Sequence, residues 1–313
     1  MKSFYIWIPQ KGIRRMEWKQ GRCIMTAYIS TNNIRIPHGR TCSRKSFRSR
    51  HYLPVWLPVH ILPDSGSGCC RLSPVTMFMD NVPYEVWGRY IVEKLRANGI
   101  DSGYVVDLGC GTGKLTTLLA DAGYDMIGID NSFDMLDMAL EREDDRILYL
   151  MQDMREFEPG EKVSAVVSAC DSINYILEPE DLQAVFFCVS ESLKEGGIFI
   201  FDINTPYKYE VLMADNTIAE NRDEGSFIWD NYYDADEKIN EYDLTLFIKE
   251  QSEDEDDIYK KFEETHFQRC YEISELKELL EQSGLVFDAV YDAYTDDQVK
   301  CDSEKVTVIA HKA

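Results

Sequence analysis

The spacing of apolar residues along the chain changes near residue 80. Residues 1–76 hold neither a 3.6-residue nor a 2-residue apolar period. Beyond them, Trp87, Tyr90, Ile91 and Leu95 recur at helical spacing, and Asn98-Gly99 ends that helix. Two periods then alternate. Strand 104-YVVDL-108 leads to a helix over 113–122 that Gly123 stops. Strand 126-MIGID-130 leads to a helix carrying Met135, Leu136 and Ala139, with Ser132 as its N-cap. Strands 146–151 and 163–169, a helix over 181–193, a turn at Glu195-Gly196-Gly197 and strand 198–203 complete the run. Strands separated by helices predict βαβ units in a doubly wound, parallel α/β sheet.

Residues 205–271 break the alternation. Runs 226–234, 239–250 and 259–271 read as three successive strands, so an antiparallel β meander is expected as an insert into the sheet domain. A helix over 274–283, capped by Ser274 and ended by Gly284, precedes strands 285–294 and 305–311. The expected organisation is an extension over 1–76 and one domain over 77–313. That domain divides into a ligand-binding core 100–204, a β-rich insert 205–271 that caps it, and a C-terminal helix and strands 272–313.

Charge sharpens the boundary. Residues 1–76 carry 13 Lys/Arg against 2 Asp/Glu, a balance of +11, and the remainder carries 20 against 54, a balance of −34. The first segment therefore reads as a non-native extension from a displaced start, a disordered basic arm, or a small folded module. A body that acidic repels phosphate backbones, which makes nucleic acid an unfavoured substrate. No apolar run reaches the ~20 residues of a membrane span. The nine cysteines include no C-x-x-C pair and no signal peptide is legible, which points to reduced thiols in the cytoplasm. No metal site is expected, and oligomeric state is not legible.

The chemistry starts in 104-YVVDLGCGTGKL-115, where Gly109, Gly111 and Gly113 follow a buried strand ending in Asp107-Leu108. Glycines let that turn bend sharply and meet a ligand closely, and Asp107 could orient the turn or reach a cationic ligand through water. The register from Gly109 puts Lys114 where a dinucleotide site wants its third glycine. A phosphate-binding P-loop fails as well, because Leu115 follows Gly113-Lys114. The run D-L-G-C-G-T-G resembles instead the first motif of class I S-adenosylmethionine-dependent methyltransferases. That resemblance implies a Rossmann-like seven-stranded sheet, S-adenosylmethionine as cofactor, and methyl transfer as the activity.

It also implies a site. Asp107, Gly109, Cys110, Gly111 and Gly113 form its first loop. Asp130 ends the second strand where an acid takes both ribose hydroxyls, with Asn131 and Met135 beside it. Asp153 takes the adenine amino group, with the Met154 amide at the ring. After the fourth strand, Cys170 and Asp171 reach the methionine part. Asp171, Asn174 and Tyr175 then either face the acceptor or, for Asn174 and Tyr175, cap and pack the loop.

From residue 82 to the end, the runs 195-EGGIFIFDINTPYKY-209, 229-WDNYYD-234, 240-NEYDLTLFIKE-250 and 263-EETHFQRCY-271 resemble an uncharacterised bacterial subfamily of small methyltransferases. Its members carry a Tyr-Asp pair near position 75, where Pro74, Val75 and Thr76 stand here, in keeping with a displaced start.

Methyl transfer from a sulfonium needs collinear placement and exclusion of water above all. A base is needed only where the acceptor must lose a proton. His266 is the candidate base, with Tyr175 as a second catalytic candidate. Trp229, Tyr232, Tyr233 and Tyr242 are candidates to line an acceptor pocket or to pack a sheet face. Arg269 and Gln268 either read a polar group on the acceptor or pair with neighbouring acids. A small-molecule acceptor is favoured. The alternatives are a nucleic-acid or protein methyltransferase and a non-catalytic cofactor-binding regulator.

Overall fold

The computed structural model describes the backbone of three strands, β1 (Lys2–Ile8), β2 (Gly12–Lys19) and β3 (Arg22–Ile24), and residues 82–250 and 257–313 in full. The three strands occur where no period predicts an element. The rest of the expected extension lies outside the described residues, as do 251–256, which take in all but the last residue of the acidic turn 252–257.

Helix α1 (Tyr84–Ala97) opens the main domain, and β4 (Tyr104–Leu108), α2 (Lys114–Asp121), β5 (Asp125–Asp130), α3 (Phe133–Leu140) and β6 (Ile147–Met151) follow. Next come β7 (Val163–Ser168), a 3-10 turn (Ser172–Tyr175), α4 (Pro179–Ser192) and β8 (Leu193–Asn204). The insert starts with a π-helical turn (Lys208–Met213) and continues through β9 (Thr217–Asn221), β10 (Gly225–Asp234), β11 (Ile239–Lys249) and β12 (Tyr259–Arg269). Helix α5 (Ile273–Gln282), β13 (Leu285–Asp292) and β14 (Lys305–Lys312) close the chain.

Seven strands run in the order β13-β14-β8-β7-β4-β5-β6, and β1-β2-β3 extends the β6 edge. The five from β8 to β6 are parallel, while β14 is antiparallel to both β8 and β13. Central strands buried on both faces read as continuous apolar runs. In β4, Val105 packs with Tyr90, Ile91 and Leu95 of α1, Leu119 of α2 and Leu136 of α3. On the opposite face, Val106 and Leu108 pack with Leu182, Phe186 and Val189 of α4 and Leu276 and Leu280 of α5. Each such side chain contributes ~1.5–3 kcal/mol on burial.

Three expectations change. The meander has four strands, ordered β12-β11-β10-β9. Strand β9 is an almost wholly exposed edge, so no apolar alternation announces it. Helix α5 begins one residue earlier than expected, and its N-cap position is Glu272, with no side-chain capping bond. Ser274 sits inside the first turn. The turn at 195–197 is a bulge within β8, where Val163 pairs with Leu193 and Ala165 with Ile198, and Gly196 takes φ 72°. Among the described residues, no helix is long and apolar enough to cross a membrane.

Candidate functional site

From β4 the chain winds outward to β5 and β6, then returns to β7 on the other side of β4. The carboxyl ends of β4 and β7 therefore flank a crevice at the point where the winding reverses, which is where open α/β sheets take ligands. The loop after β4 turns through left-handed backbone at Gly111 (φ 52°) and Gly113 (φ 71°). A Cβ at Gly111 would meet nothing within 4 Å, so this backbone stands open to the crevice. A Cβ at Gly113 would collide with the Tyr149 hydroxyl. The amides of Gly109 and Cys110 both donate to the Ile129 carbonyl, at 2.8 and 3.0 Å, which folds the loop over the end of β5.

Asp130 fixes the same loop from the other side. Its Oδ2 accepts from the Gly111 amide and its Oδ1 from the Ser132 amide, each at 2.8 Å. Burial raises its carboxyl, opposed by these amide bonds. The Asn131 amide opposes the rise as well, and a carboxylate's four or so acceptor sites still leave room for a ligand hydroxyl. Asn131 and Met135 lie beside it, part-exposed, on the loop and first turn of α3; the Met135 amide donates to Ser132 Oγ at 3.4 Å.

Asp107 is buried and accepts from Thr116 Oγ1 of α2 at 2.6 Å, a bond that joins the end of β4 to α2 across the glycine loop. Burial pushes its carboxyl up to about 7, with Thr116 opposing and Asp130 adding to the rise. The Cys110 side chain turns into the core on the α1–α3 side, so this residue offers the crevice its backbone alone.

Asp153 follows β6 and is gripped by Arg155, whose Nε and Nη2 donate at 3.0 and 2.7 Å. Burial raises the Asp153 carboxyl, but the Arg155 bonds outweigh it and hold it below the usual range. Arg155 also reaches Asp181 of α4 at 2.8 Å. Met154 packs against the core on the α4–α5 side.

After β7, Cys170 (φ 59°) and Asp171 (φ 52°) are consecutive non-glycine residues in left-handed backbone. Such positions cost ~1–3 kcal/mol each and persist only where their surroundings hold them. Here the Asp171 amide donates to Asp202 Oδ1 at 2.7 Å. Lys305 Nζ bridges Asp171 Oδ1 (2.8 Å) and Asp202 Oδ2 (3.1 Å), and Tyr294 also donates to Asp202 at 2.7 Å. Gln268 Nε2 of β12 donates to Asp171 Oδ2 at 2.7 Å, which ties the meander to the kink. Burial works to raise the Asp171 carboxyl, but Lys305 and Lys208 overcome it and hold it down at about 2. Cys170 Sγ lies 3.7 Å from the Tyr84 hydroxyl of α1, and burial pushes its thiol up to about 12.

The meander's inner face brings four rings together. Tyr242 and His266 are cross-strand partners stacked at 4.8 Å, and Trp229 packs on Tyr242 at 5.0 Å. The Tyr175 hydroxyl, from the loop after β7, lies 2.6 Å from the Tyr242 hydroxyl and 3.3 Å from His266 Nδ1. His266 Nε2 lies 3.1 Å from Glu264 Oε2.

Other candidates fall outside this cluster. Asn174 is fully buried, with Nδ2 donating to the Arg269 carbonyl (2.8 Å) and Oδ1 accepting from the Asn204 amide (3.0 Å); it packs the loop and does not face an acceptor. Tyr233 stacks on Tyr209, and Tyr232 is 58% exposed on the other face. Arg269 is pinned by the Leu177 carbonyl (3.3 Å), Glu275 (3.7 Å) and the Tyr271 ring (5.4 Å), so it pairs locally. Among the described residues, no group of three or more His, Cys, Asp or Glu side chains is placed to hold a metal ion.

Sequence reasoning missed Tyr84, Thr116, Asp202, Glu264, Tyr294 and Lys305. An acid inside the apolar run 198-IFIFDI-203 was a usable signal for Asp202. The others carry no local mark.

A family profile described as a methyltransferase domain matches residues 105–197. The YqeM methyltransferase-family protein of Bacillus subtilis (strain 168) is 32% identical over 238 residues, which are 75% of this chain and 93% of that protein. A methyltransferase-family protein of Geobacillus sp. (strain WCH70) is also 32% identical, over 75% of this chain and 95% of its own length. The crystal structure of an S-adenosylmethionine-dependent methyltransferase from Clostridium acetobutylicum ATCC 824 superposes with a TM-score of 0.70. It is 27% identical and covers 76% of this chain and 97% of its own.

Proposed function

The chain belongs to the class I S-adenosylmethionine-dependent methyltransferases, and we propose that it methylates a small-molecule acceptor held between the crevice and the inner face of the meander. The observation that carries this reading is the seam where Gln268 meets Asp171 and Tyr175 meets Tyr242 and His266. It sets an aromatic, half-buried wall directly beside the loop after β7. A relative at 31% identity over 129 residues, 53% of its own length, supports it: a Streptomyces venezuelae enzyme named as a dTDP-3-amino-3,4,6-trideoxy-α-D-glucopyranose N,N-dimethyltransferase. The acidic body, at −34 over residues 77–313, disfavours a nucleic-acid acceptor.

When bound, S-adenosylmethionine supplies a methyl group on a positively charged sulfur, already primed for displacement. The protein's part is binding, alignment and dryness. Asp130, oriented by the Gly111 and Ser132 amides, takes the ribose hydroxyls, with Asn131 and Met135 at its side. Asp153, oriented by Arg155, and the Met154 amide take the adenine edge. The open backbone at Gly109–Gly113 and the kink at Cys170–Asp171 enclose the methionine part. Trp229 and Tyr242 wall the acceptor, and His266 is the group on which a proton lost by the acceptor comes to rest.

The test has two stages. Calorimetric titration of the full chain is expected to show binding of S-adenosylmethionine and S-adenosylhomocysteine but not NAD, and strong weakening by Asp130→Ala. Labelled methyl transfer is then screened against amine- and hydroxyl-bearing small molecules, nucleotide-linked amino sugars among them, and in parallel against RNA and protein. Transfer to RNA or protein alone would overturn the small-molecule reading.

A further inference from the structure

Glu264 and His266 lie two residues apart on β12, on the face where Tyr242 stacks against the imidazole. Their side chains are 16% and 27% exposed, so both are largely shielded from water. A carboxylate only accepts, so the neutral imidazole must give Glu264 its Nε2–H. Nδ1 is then an acceptor, and the Tyr175 hydroxyl at 3.3 Å is its donor. Tyr175 has thereby spent its proton, so across the 2.6 Å contact the Tyr242 hydroxyl must donate to it. With the imidazole neutral, one proton arrangement satisfies the whole chain, and it points from Tyr242 through Tyr175 and His266 to Glu264. A charged imidazole would reverse it, with Nδ1–H donating to Tyr175.

We infer that Tyr175, His266 and Glu264 form a directed proton relay that receives the proton lost by the methyl acceptor; this rests on the reading of the meander as the acceptor wall. The acceptor's N–H or O–H gives its proton to the Tyr175 oxygen. The Tyr175 proton moves to His266 Nδ1 in the same step, and the resulting imidazolium is balanced by the Glu264 carboxylate. No oxidant or metal is needed, and the proton later leaves to solvent. Tyr175 is the catalytic residue of the relay. Glu264 is a positioning residue, because it acts by fixing which imidazole nitrogen carries the proton. Tyr242 orients the phenol.

The test reads the tautomer directly, by long-range proton–nitrogen correlation on the full chain with 15N-labelled histidine. The His266 signal is identified by its loss in His266→Gln. The expected wild-type state is predominantly Nε2–H. Glu264→Ala removes a charge-assisted hydrogen bond and lowers the Nε2–H to Nδ1–H ratio by about tenfold; Glu264→Asp keeps a carboxylate there and restores part of it. Tyr175→Phe shifts the Nδ1 resonance while Nε2 stays protonated.

A wild-type Nδ1–H tautomer, or a ratio unmoved by Glu264→Ala, overturns the relay. Titration of the same wild-type sample with S-adenosylmethionine separates the two readings. Binding together with the wrong tautomer sinks the relay alone. No binding sinks the functional reading, and a tautomer lock in a chain that binds no cofactor is structural and overturns the relay as well.

Discussion

The two walls of the crevice are assembled over different lengths of chain. On the cofactor side the bonds close short loops. Asp130 holds the amide of Ser132 two residues away and of Gly111 nineteen away, Thr116 reaches Asp107 over nine, and Arg155 grips Asp153 over two. On the acceptor side, and at the Asp171 kink that this wall shares with the cofactor, Tyr175 meets His266 across 91 residues, Gln268 meets Asp171 across 97, and Lys305 meets Asp171 across 134. A wall made of local bonds can lose one of them and keep the domain. A wall made of distant bonds exists only while the whole domain is folded, so damage there falls on global stability first.

Lys305 offers the strongest way to break that contrast. It neutralises two carboxylates, and Asp202 among them is essentially inaccessible. Lys305→Met leaves like charges facing each other in the interior, and removal of one partner from a buried set costs ~3–5 kcal/mol. Urea unfolding of the full chain measures it. A loss below ~1 kcal/mol would mean that Asp171 and Asp202 need no cation between them to stay buried.

Asp130→Ala is the matching change on the local wall. It removes a carboxylate that orients two amides and, on the present reading, two ribose hydroxyls. Cofactor affinity is expected to fall about 100-fold, near 3 kcal/mol, while the unfolding midpoint moves much less. A drop in stability as large as that of Lys305→Met would erase the distinction between the walls.

Gly113→Ala comes next. The residue is the N-cap of α2 in left-handed backbone, and its new methyl meets the Tyr149 hydroxyl. Strain and collision together are expected to cost ~2 kcal/mol. Adding Tyr149→Phe removes the worst contact and returns ~1 kcal/mol of it, leaving the backbone strain and the closer approach to the ring and to Ala139. If the double variant recovers nothing, the hydroxyl contact contributes nothing to the effect.

The same contrast explains what was legible in the sequence. The glycine loop, Asp107 and Asp130 were readable because their partners lie within about twenty positions, at the ends of adjacent strands, and strands β4 to β7 announced themselves by apolar runs. The grouping of Trp229, Tyr242 and Tyr175 with His266 was not readable. Period-2 alternation places Trp229 and Tyr233 on one face, yet only the π-helical turn decides that Tyr209 takes Tyr233 away from the cluster. Asn174 shows the limit most clearly. Its sequence position suits an acceptor contact as well as a loop staple, and only the carbonyl of Arg269, 95 residues on, decides for the staple.

The most gradual expected effect concerns Asp107, spread over the range from about pH 4 to about 7, and its sign sets it against Asp171. Burial raises this carboxyl from the ordinary 3.8 to about 7 in the folded protein. Below about pH 4 both the folded and the unfolded chain hold its proton, and the native state bears no penalty. Between about 4 and 7 the unfolded chain releases that proton while the folded chain keeps it, so stability declines as pH rises, by at most about 1.4 kcal/mol per unit. Asp171 works in the opposite direction, because a carboxyl held down at about 2 adds stability as pH rises from about 2 to 4. Asp107→Asn keeps an acceptor for Thr116 and cannot ionise. Thermal unfolding across pH 4 to 7 is therefore expected to show the wild type losing ground steadily against this variant. Parallel curves would mean that Asp107 is already ionised in the fold, and that the Thr116 hydroxyl and amide compensate its burial fully.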